Sequence, residues 1–295
     1  MKNAQTIAIG SILVGAIVLA LKSTAWWITG SAALFSDAAE TVVNVAAAIV
    51  AWLALGLAAK PADANHPYGH DKAEFFAAVI EGVLIVVAAL VILQHAWQAY
   101  LNPAPLEALL VGVVLNAIST VLNLGWCLLL FRQGRQHRSP ALTADATHLA
   151  ADVVTSCGVL AGVGLVLLTG LPWLDPAIAA ATAVYILVSG YFLIRDSVGG
   201  LMDAAPAEVI VERIRTIVGQ HAEGAIEAHD LRTRHAGRLT FLEFHLVVPG
   251  AMTVEAAHDI CDRIETALKS EMEGLMITIH VEPEGKAKHR GVLVL

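Results

Sequence analysis

The stretches Asp37-Ala-Ala-Glu40-Thr-Val-Val-Asn44 and Asp145-Ala-Thr-His148-Leu-Ala-Ala-Asp152 decide how the rest of the chain is read. Each lies inside a long apolar run. Each carries polar groups at i, i+3 and i+7, a spacing that lines them along one helix face. The groups are carboxylates, one imidazole and one amide, all ligands for a divalent cation. A carboxylate at lipid depth costs about 3 kcal/mol on insertion scales, so it faces a bundle interior and has a function. A polar helix–helix contact would explain one such group, but not two carboxylates and an amide on one face. If Glu40 and Asn44 meet His148 and Asp152, they form a four-coordinate N/O site with two negative charges. Such a set suits zinc and admits cobalt, iron, cadmium or manganese. Asp145 is placed behind His148 as an orienting partner, and Asp37 as a supporting carboxylate outside the ligand set.

Composition agrees with a membrane setting. Of 295 residues, 57% are hydrophobic and only 15% charged, against about 25% charged in a soluble domain. Mean hydropathy is +0.69. A formal charge of −8 excludes nucleic acid as partner, since phosphate binding needs a basic face. Most Lys and Arg lie in short loops or beyond Met202. Two parts follow: a membrane domain over 1–202 and a water-soluble tail over 203–295.

Six apolar segments, about 7–28, 32–58, 75–99, 106–131, 142–169 and 174–198, are each long enough to span ~30 Å of hydrocarbon. Turn chemistry separates them, as at Thr29-Gly30-Ser31, Lys60-Pro61 and Gly170-Leu171-Pro172. The first is too long for a cleavable signal peptide and lacks a small-residue cleavage site. Lys60 and Lys72 fall in the second connection and Arg132, Arg135 and Arg138 in the fourth, while the odd connections have none. Both termini and the tail are therefore expected in the cytoplasm. Lys22, inside the first span, is expected to snorkel toward the outer interface. Trp26 and Trp27 read as interface anchors. Glu81, Gln94, His95, Asn116 and Asn123 read as packing or interface groups. Cys127, Cys157 and Cys261 form no C-x-x-C pattern, so neither a disulfide framework nor a thiolate cage is indicated.

The second connection holds Asp63, His66 and His70 around a Pro-Tyr-Gly turn, oxygen and nitrogen donors compatible with zinc. In the tail, helical periodicity over about 206–220 and 253–271 alternates with strand-like runs at about 226–234, 238–248 and 275–282. That order, α-β-β-α-β, gives an α+β sandwich. It is small enough that dimerisation or bound metal would aid its stability. The tail is rich in histidine. His229 and His245 fall in the two strands of a hairpin, and His280 and Glu282 share a face of the last strand.

Together these stretches resemble the cation diffusion facilitator family. The resemblance spans nearly the whole chain and rests on Ala25-Trp-Trp-Ile-Thr-Gly-Ser31, Asn65-His-Pro-Tyr-Gly-His-Asp-Lys-Ala-Glu74, Ala144-Asp-Ala-Thr-His148 through Asp152, and His229-Asp-Leu-Arg-Thr-Arg234. It implies six spans, a metallochaperone-like cytoplasmic α+β domain and a homodimer. It also implies export of divalent metal from the cytoplasm in exchange for protons, with a bacterial inner membrane as location. By position it implies a transport site of Glu40, Asn44, His148 and Asp152, and a loop site of Asp63, His66 and His70. It further implies a cytoplasmic site of His229, His245, His258 and His280, with Glu282 where an Asp bridges in the zinc branch. Lys72 and Asp203 match an inter-subunit charge pair.

The chain departs from that branch at Glu40, usually Asp or His, and at Asn44, usually Asp, as well as at Glu282. Zinc is the expected cargo and regulatory ligand, with iron(II), manganese, cobalt or cadmium as alternatives. His148 is the expected proton acceptor, since imidazole titrates near neutral pH and cannot bind metal when protonated. A membrane-anchored metal sensor is the rival, but an anchor needs no intramembrane carboxylates. An intramembrane metalloprotease would need an H-E-x-x-H that is absent, so no enzyme activity is expected.

Overall fold

The computed structural model describes residues 2–102, 107–136, 140–237, 239–288 and 292–293. Side chains are outside the description at 2–6, 8, 134–136, 140–145, 147, 148, 292 and 293. Six long helices come first: α1 (Lys2–Thr29), α2 (Ala32–Ala58), α3 (Ala73–Leu101), α4 (Leu109–Gln136), α5 (Pro140–Thr169) and α6 (Leu174–Leu201). All six are long and apolar enough to cross a membrane. Their apolar side chains point outward: Val121 is 68% exposed, Val154 71% and Leu168 87%. Asp37, Asn116, Asn123, Asp152, Ser156 and Asp175 are buried instead. That distribution inverts a soluble domain's and fits a lipid solvent, where apolar surface has no reason to hide. The chain divides into two compact units, residues 1–56 with 77–195, and residues 57–76 with 196–295.

Within the first unit, α4 packs along both α1 and α5, and α3 packs on α6 through Ala89, Ile92, Ala96, Ala179, Ala183 and Ile186. The α3–α6 contact is close because both helices bring glycine to it. A Cβ on Gly82 would sit 2.5 Å from Ile194 Cγ1, and one on Gly190 would sit 2.7 Å from Ile85 Cγ2. Small residues at a membrane helix crossing let the backbones approach.

The α1–α2 turn is made at Gly30, whose φ of 68° is left-handed and costs glycine nothing. Asp175, at the start of α6, then caps α2 from outside. Its carboxylate accepts from Ser31 Oγ at 2.5 Å, Ala32 N at 2.5 Å and Ala33 N at 3.3 Å. Those N–H groups have no intrahelical acceptor, and a negative charge at a helix N-terminus is favourable. The His95 ring stacks on Phe35, with centroids 4.2 Å apart.

The second unit carries α7 (Glu208–His221), β1 (Glu227–Ala236), β2 (Leu239–Val248), α8 (Val254–Glu271), β3 (Leu275–Pro283) and a two-residue β4 (Val292–Leu293). The sheet order is β3-β2-β1-β4, with β1 antiparallel to β2 and β3 parallel to β2. The expected α-β-β-α-β order is observed, extended by β4. Ile214, Ile217 and Val218 of α7 and Ile260, Ile264 and Leu268 of α8 cover Leu242, Phe244 and Leu246 of β2. Thr253 caps α8, its hydroxyl accepting from Ala256 N at 3.1 Å.

Asp175→Ala strips the acceptor from three buried donors at the head of α2. It should destabilise the detergent-solubilised protein by about 1–3 kcal/mol, read as a lower Tm, with the helix content of the folded state unchanged.

Candidate metal sites and family membership

In the bundle interior, one ligand atom each of Asp37, Glu40 and Asp152 lie within 4.8 Å of one another. Asp37 is therefore a full member of the cluster, not the outlying carboxylate its position suggested. Asp152 Oδ1 accepts from Asn44 Nδ2 at 3.1 Å, and Asp152 Oδ2 from Asn123 Nδ2 at 2.6 Å. Asn116 Nδ2 donates to Asp37 Oδ2 at 2.8 Å, and Thr155 Oγ1 to Glu40 Oε2 at 3.3 Å. Asn116 and Asn123, expected to make packing hydrogen bonds or lie at an interface, donate to the two buried carboxylates. Asp145 and His148 occupy helical positions in α5, but their side chains lie outside the described residues.

Lys22 does not snorkel. Its Nζ donates to Asp37 Oδ1 at 2.9 Å and Ser156 Oγ at 2.9 Å, and pairs with Asp152 Oδ2 at 3.5 Å, with its side chain fully buried. Two buried carboxylates left without their ammonium would be uncompensated charges, which is strongly destabilising. The sequence carried no sign of it, because the partners lie 15 and 130 residues away.

The connection between α2 and α3 gathers a second cluster, with ligand atoms of Asp63, His66 and His70 within 4.8 Å. Asp63 Oδ1 accepts from His66 N at 2.8 Å and Asn65 N at 2.9 Å. The His66 N–H holds the Asp63 carboxyl below its usual range. His70 Nδ1 is buried without a hydrogen-bond partner.

In the same unit Lys72 Nζ donates to Asp203 Oδ1 at 2.8 Å. The two residues matched to a charge pair by resemblance are thus in contact within the chain. Arg234 joins it at 3.4 Å and lies over the rings of Phe241 and Tyr68, 4.3 and 5.2 Å from their centroids. Lys72 holds the Asp203 carboxyl low. Its contribution to stability is therefore present above the unfolded value near ~3.9 and fades as pH falls through the lower folded value. Exposed pairs of this kind contribute about 0.2–1 kcal/mol.

The third cluster is built by strand register. His229 faces His245 across β1 and β2, and His245 faces His280 across β2 and β3, so three imidazoles form one row. Ring centroids are 5.3 Å apart for the first pair and 4.9 Å for the second. Glu282 reaches into the row: its carboxylate is 3.3 Å from His229 Nε2, 3.4 Å from His245 Nδ1 and 3.8 Å from His280 Nε2. His229 Nδ1, His229 Nε2 and His245 Nδ1 are buried without hydrogen-bond partners, which is costly unless another ligand engages them.

His258, grouped with these by resemblance, is not brought to them. It is 72% exposed on α8, 3.7 Å from Asp262. Two residues missed from sequence join the cluster. Asp230 sits at the β-bulge after His229 with φ of 51° and lies within ligand distance of His229 and His245. Glu227, buried, places Oε1 3.7 Å from His229 Nδ1. Glu227 could have been found from its i, i+2 strand spacing to His229.

Six apolar helices with buried carboxylates, followed by a histidine-lined α+β unit, narrow the identity, and comparison completes it. Residues 8–202 match the model of the cation efflux transmembrane domain, and residues 206–284 that of the cation efflux protein cytoplasmic domain. The chain belongs to the cation diffusion facilitator family. Family members similar to it include an uncharacterised transporter of Synechocystis sp., 42% identical over 280 residues, covering 95% of this chain and 90% of that protein. The cation-efflux pump FieF of Shewanella oneidensis is 32% identical over 274 residues, covering 92% of each chain. Among solved structures, one described as the zinc form of the putative zinc transporter CzrB is 52% identical. It covers 28% of this chain and 96% of that one, with a TM-score of 0.28. The chain is thus a multi-pass membrane protein of a cation-efflux family.

Glu227 adjoins His229, its Oε1 3.7 Å from Nδ1, where a small approach on metal binding would let it orient the ring. Glu227→Gln should weaken metal binding at the strand row about 10–100-fold, measured by chelator competition on the full-length protein, with the α+β fold retained by circular dichroism.

Proposed function

We propose that this protein is a proton-coupled antiporter that exports divalent metal, zinc foremost, from the cytoplasm by alternating access. The observation that carries the reading is the meeting of Asp37, Glu40 and Asp152 inside a bundle of membrane-spanning helices. Carboxylates gathered inside a membrane domain, two of them buried and one half-buried, are expensive and mark a functional site. Metal arriving from the cytoplasm is held by Glu40, Asn44, His148 and Asp152, with Asp37 adjoining. The bundle rocks outward, protons replace the metal, and His148 takes one of them, since a protonated imidazole cannot ligate. The inward proton gradient then drives the cycle.

On the same reading the tail and the second connection are cytoplasmic, as are both termini, in a bacterial inner membrane. His229, His245, His280 and Glu282 bind regulatory metal. Asp63, His66 and His70 form a further site, and two chains assemble through the tail. Metal on the tail favours the transporting arrangement by population shift.

A second reading of the cargo has its own support. Asn44 is a neutral amide turned toward Asp152, so three of the four proposed ligands, Glu40, Asn44 and Asp152, offer oxygen. Oxygen-rich sets suit manganese, whereas imidazole and thiolate favour zinc.

Asp152→Ala removes the carboxylate shared by Asn44, Asn123 and Lys22. Transport of zinc or manganese in proteoliposomes should fall at least ~100-fold, as the loss of a charge-bearing ligand worth about 3 kcal/mol requires. Undiminished transport by the variant sinks the proposal.

A further inference from the structure

Lys22 touches the candidate transport site directly. Each of its three N–H groups has an acceptor: Asp37 Oδ1 and Ser156 Oγ, both at 2.9 Å, and Asp152 Oδ2 at 3.5 Å. Two of the three carboxylates that converge in the bundle are thus already engaged by a cation tethered to α1. The amides of Asn116, Asn44 and Asn123 occupy further lone pairs of the same two carboxylates. The contact to Asp152 is the longest of the three, and Asp152 is the one partner of Lys22 within the proposed ligand set. Asp37 and Ser156 hold the ammonium; Asp152 is where it can yield.

We propose that Lys22 is a tethered competitor of the transported ion: its ammonium holds Asp37 and Asp152 when the site is empty, and the divalent cation takes Asp152 from it. This rests on the export reading of the same site. A monovalent ion carries no more charge than the ammonium and gains nothing by displacing it, whereas a divalent ion does. With metal bound and the carboxylates ionised, three negative charges would over-bind a divalent ion. Lys22 offsets one of them, so the ion can leave. Lys22 is then a specificity-determining residue that sets both affinity and release.

The test is the concentration dependence of initial zinc uptake by full-length protein in liposomes, comparing wild type with Lys22→Met and Lys22→Gln. Removal of the competing charge should lower KM at least about tenfold and lower the maximal rate with it, because release slows. A purely structural lysine would give a lower rate at unchanged KM, and that result overturns the proposal. Glutamine can still donate to Asp37 and Ser156, so it carries the test if the methionine variant is not monodisperse. Loss of folded protein in both variants also overturns the proposal, since Lys22 would then be required by the fold itself. If wild-type protein moves neither zinc nor manganese, the export reading itself fails. That result is distinct from wild-type transport beside an indifferent Lys22→Met.

Discussion

Charge buried in an apolar bundle is the constraint on which the first unit depends. Lys22, Asp37 and Asp152 come from α1, α2 and α5, and no one of them is tolerable alone. A single charge left unpaired by loss of its partner costs about 3–5 kcal/mol, which is comparable with the whole stability of many domains. Satisfying all three at once fixes the rotation of three helices about their axes, and Asn116 and Asn123 add α4 to the same arrangement. Lipid-facing leucines and valines could not do this, because apolar contacts are interchangeable with lipid tails. The polar interior therefore specifies how the helices face one another, and it leaves a cluster of oxygen ligands as the product of that geometry.

The second unit reaches the same end by another route. There a hydrophobic core under the sheet supplies the stability, and strand register does the placing. A one-residue slip of β1 or β3 would turn its histidine to the opposite face, so the core residues that lock register also align the imidazole row. Glu282 then sits among the three imidazoles as an anion among potential cations. Three ring nitrogens without partners mark this as a place where the protein leaves bonding capacity open.

Much of this was legible in the sequence, and for identifiable reasons. The spans were readable because their length is fixed by bilayer thickness, and the strands by their period of two. Glu40, Asn44 and Asp152 were readable because a polar group is expensive in an apolar run. What escaped was pairing at long range. Lys22 looked like a snorkelling lysine, since nothing local announces partners on other helices. Asp37 looked peripheral because its role depends on the rotation of α2 against α5. Asn116 and Asn123 are neutral and pass for packing groups until their acceptors are known. His258 came from resemblance alone, and in this chain α8 leaves it exposed beside Asp262. Lys72 and Asp203, matched by resemblance, do meet within the chain.

On the proposed reading, carboxylates inside this bundle carry a divalent cation against protons. Its most direct test is uptake of zinc, manganese, iron(II) and cobalt by purified protein in liposomes under an imposed pH gradient. At least one of these ions should move, faster with the gradient than without it, and the gradient should dissipate in step. Ion movement indifferent to the gradient would contradict proton coupling. No movement of any of the four would contradict transport itself.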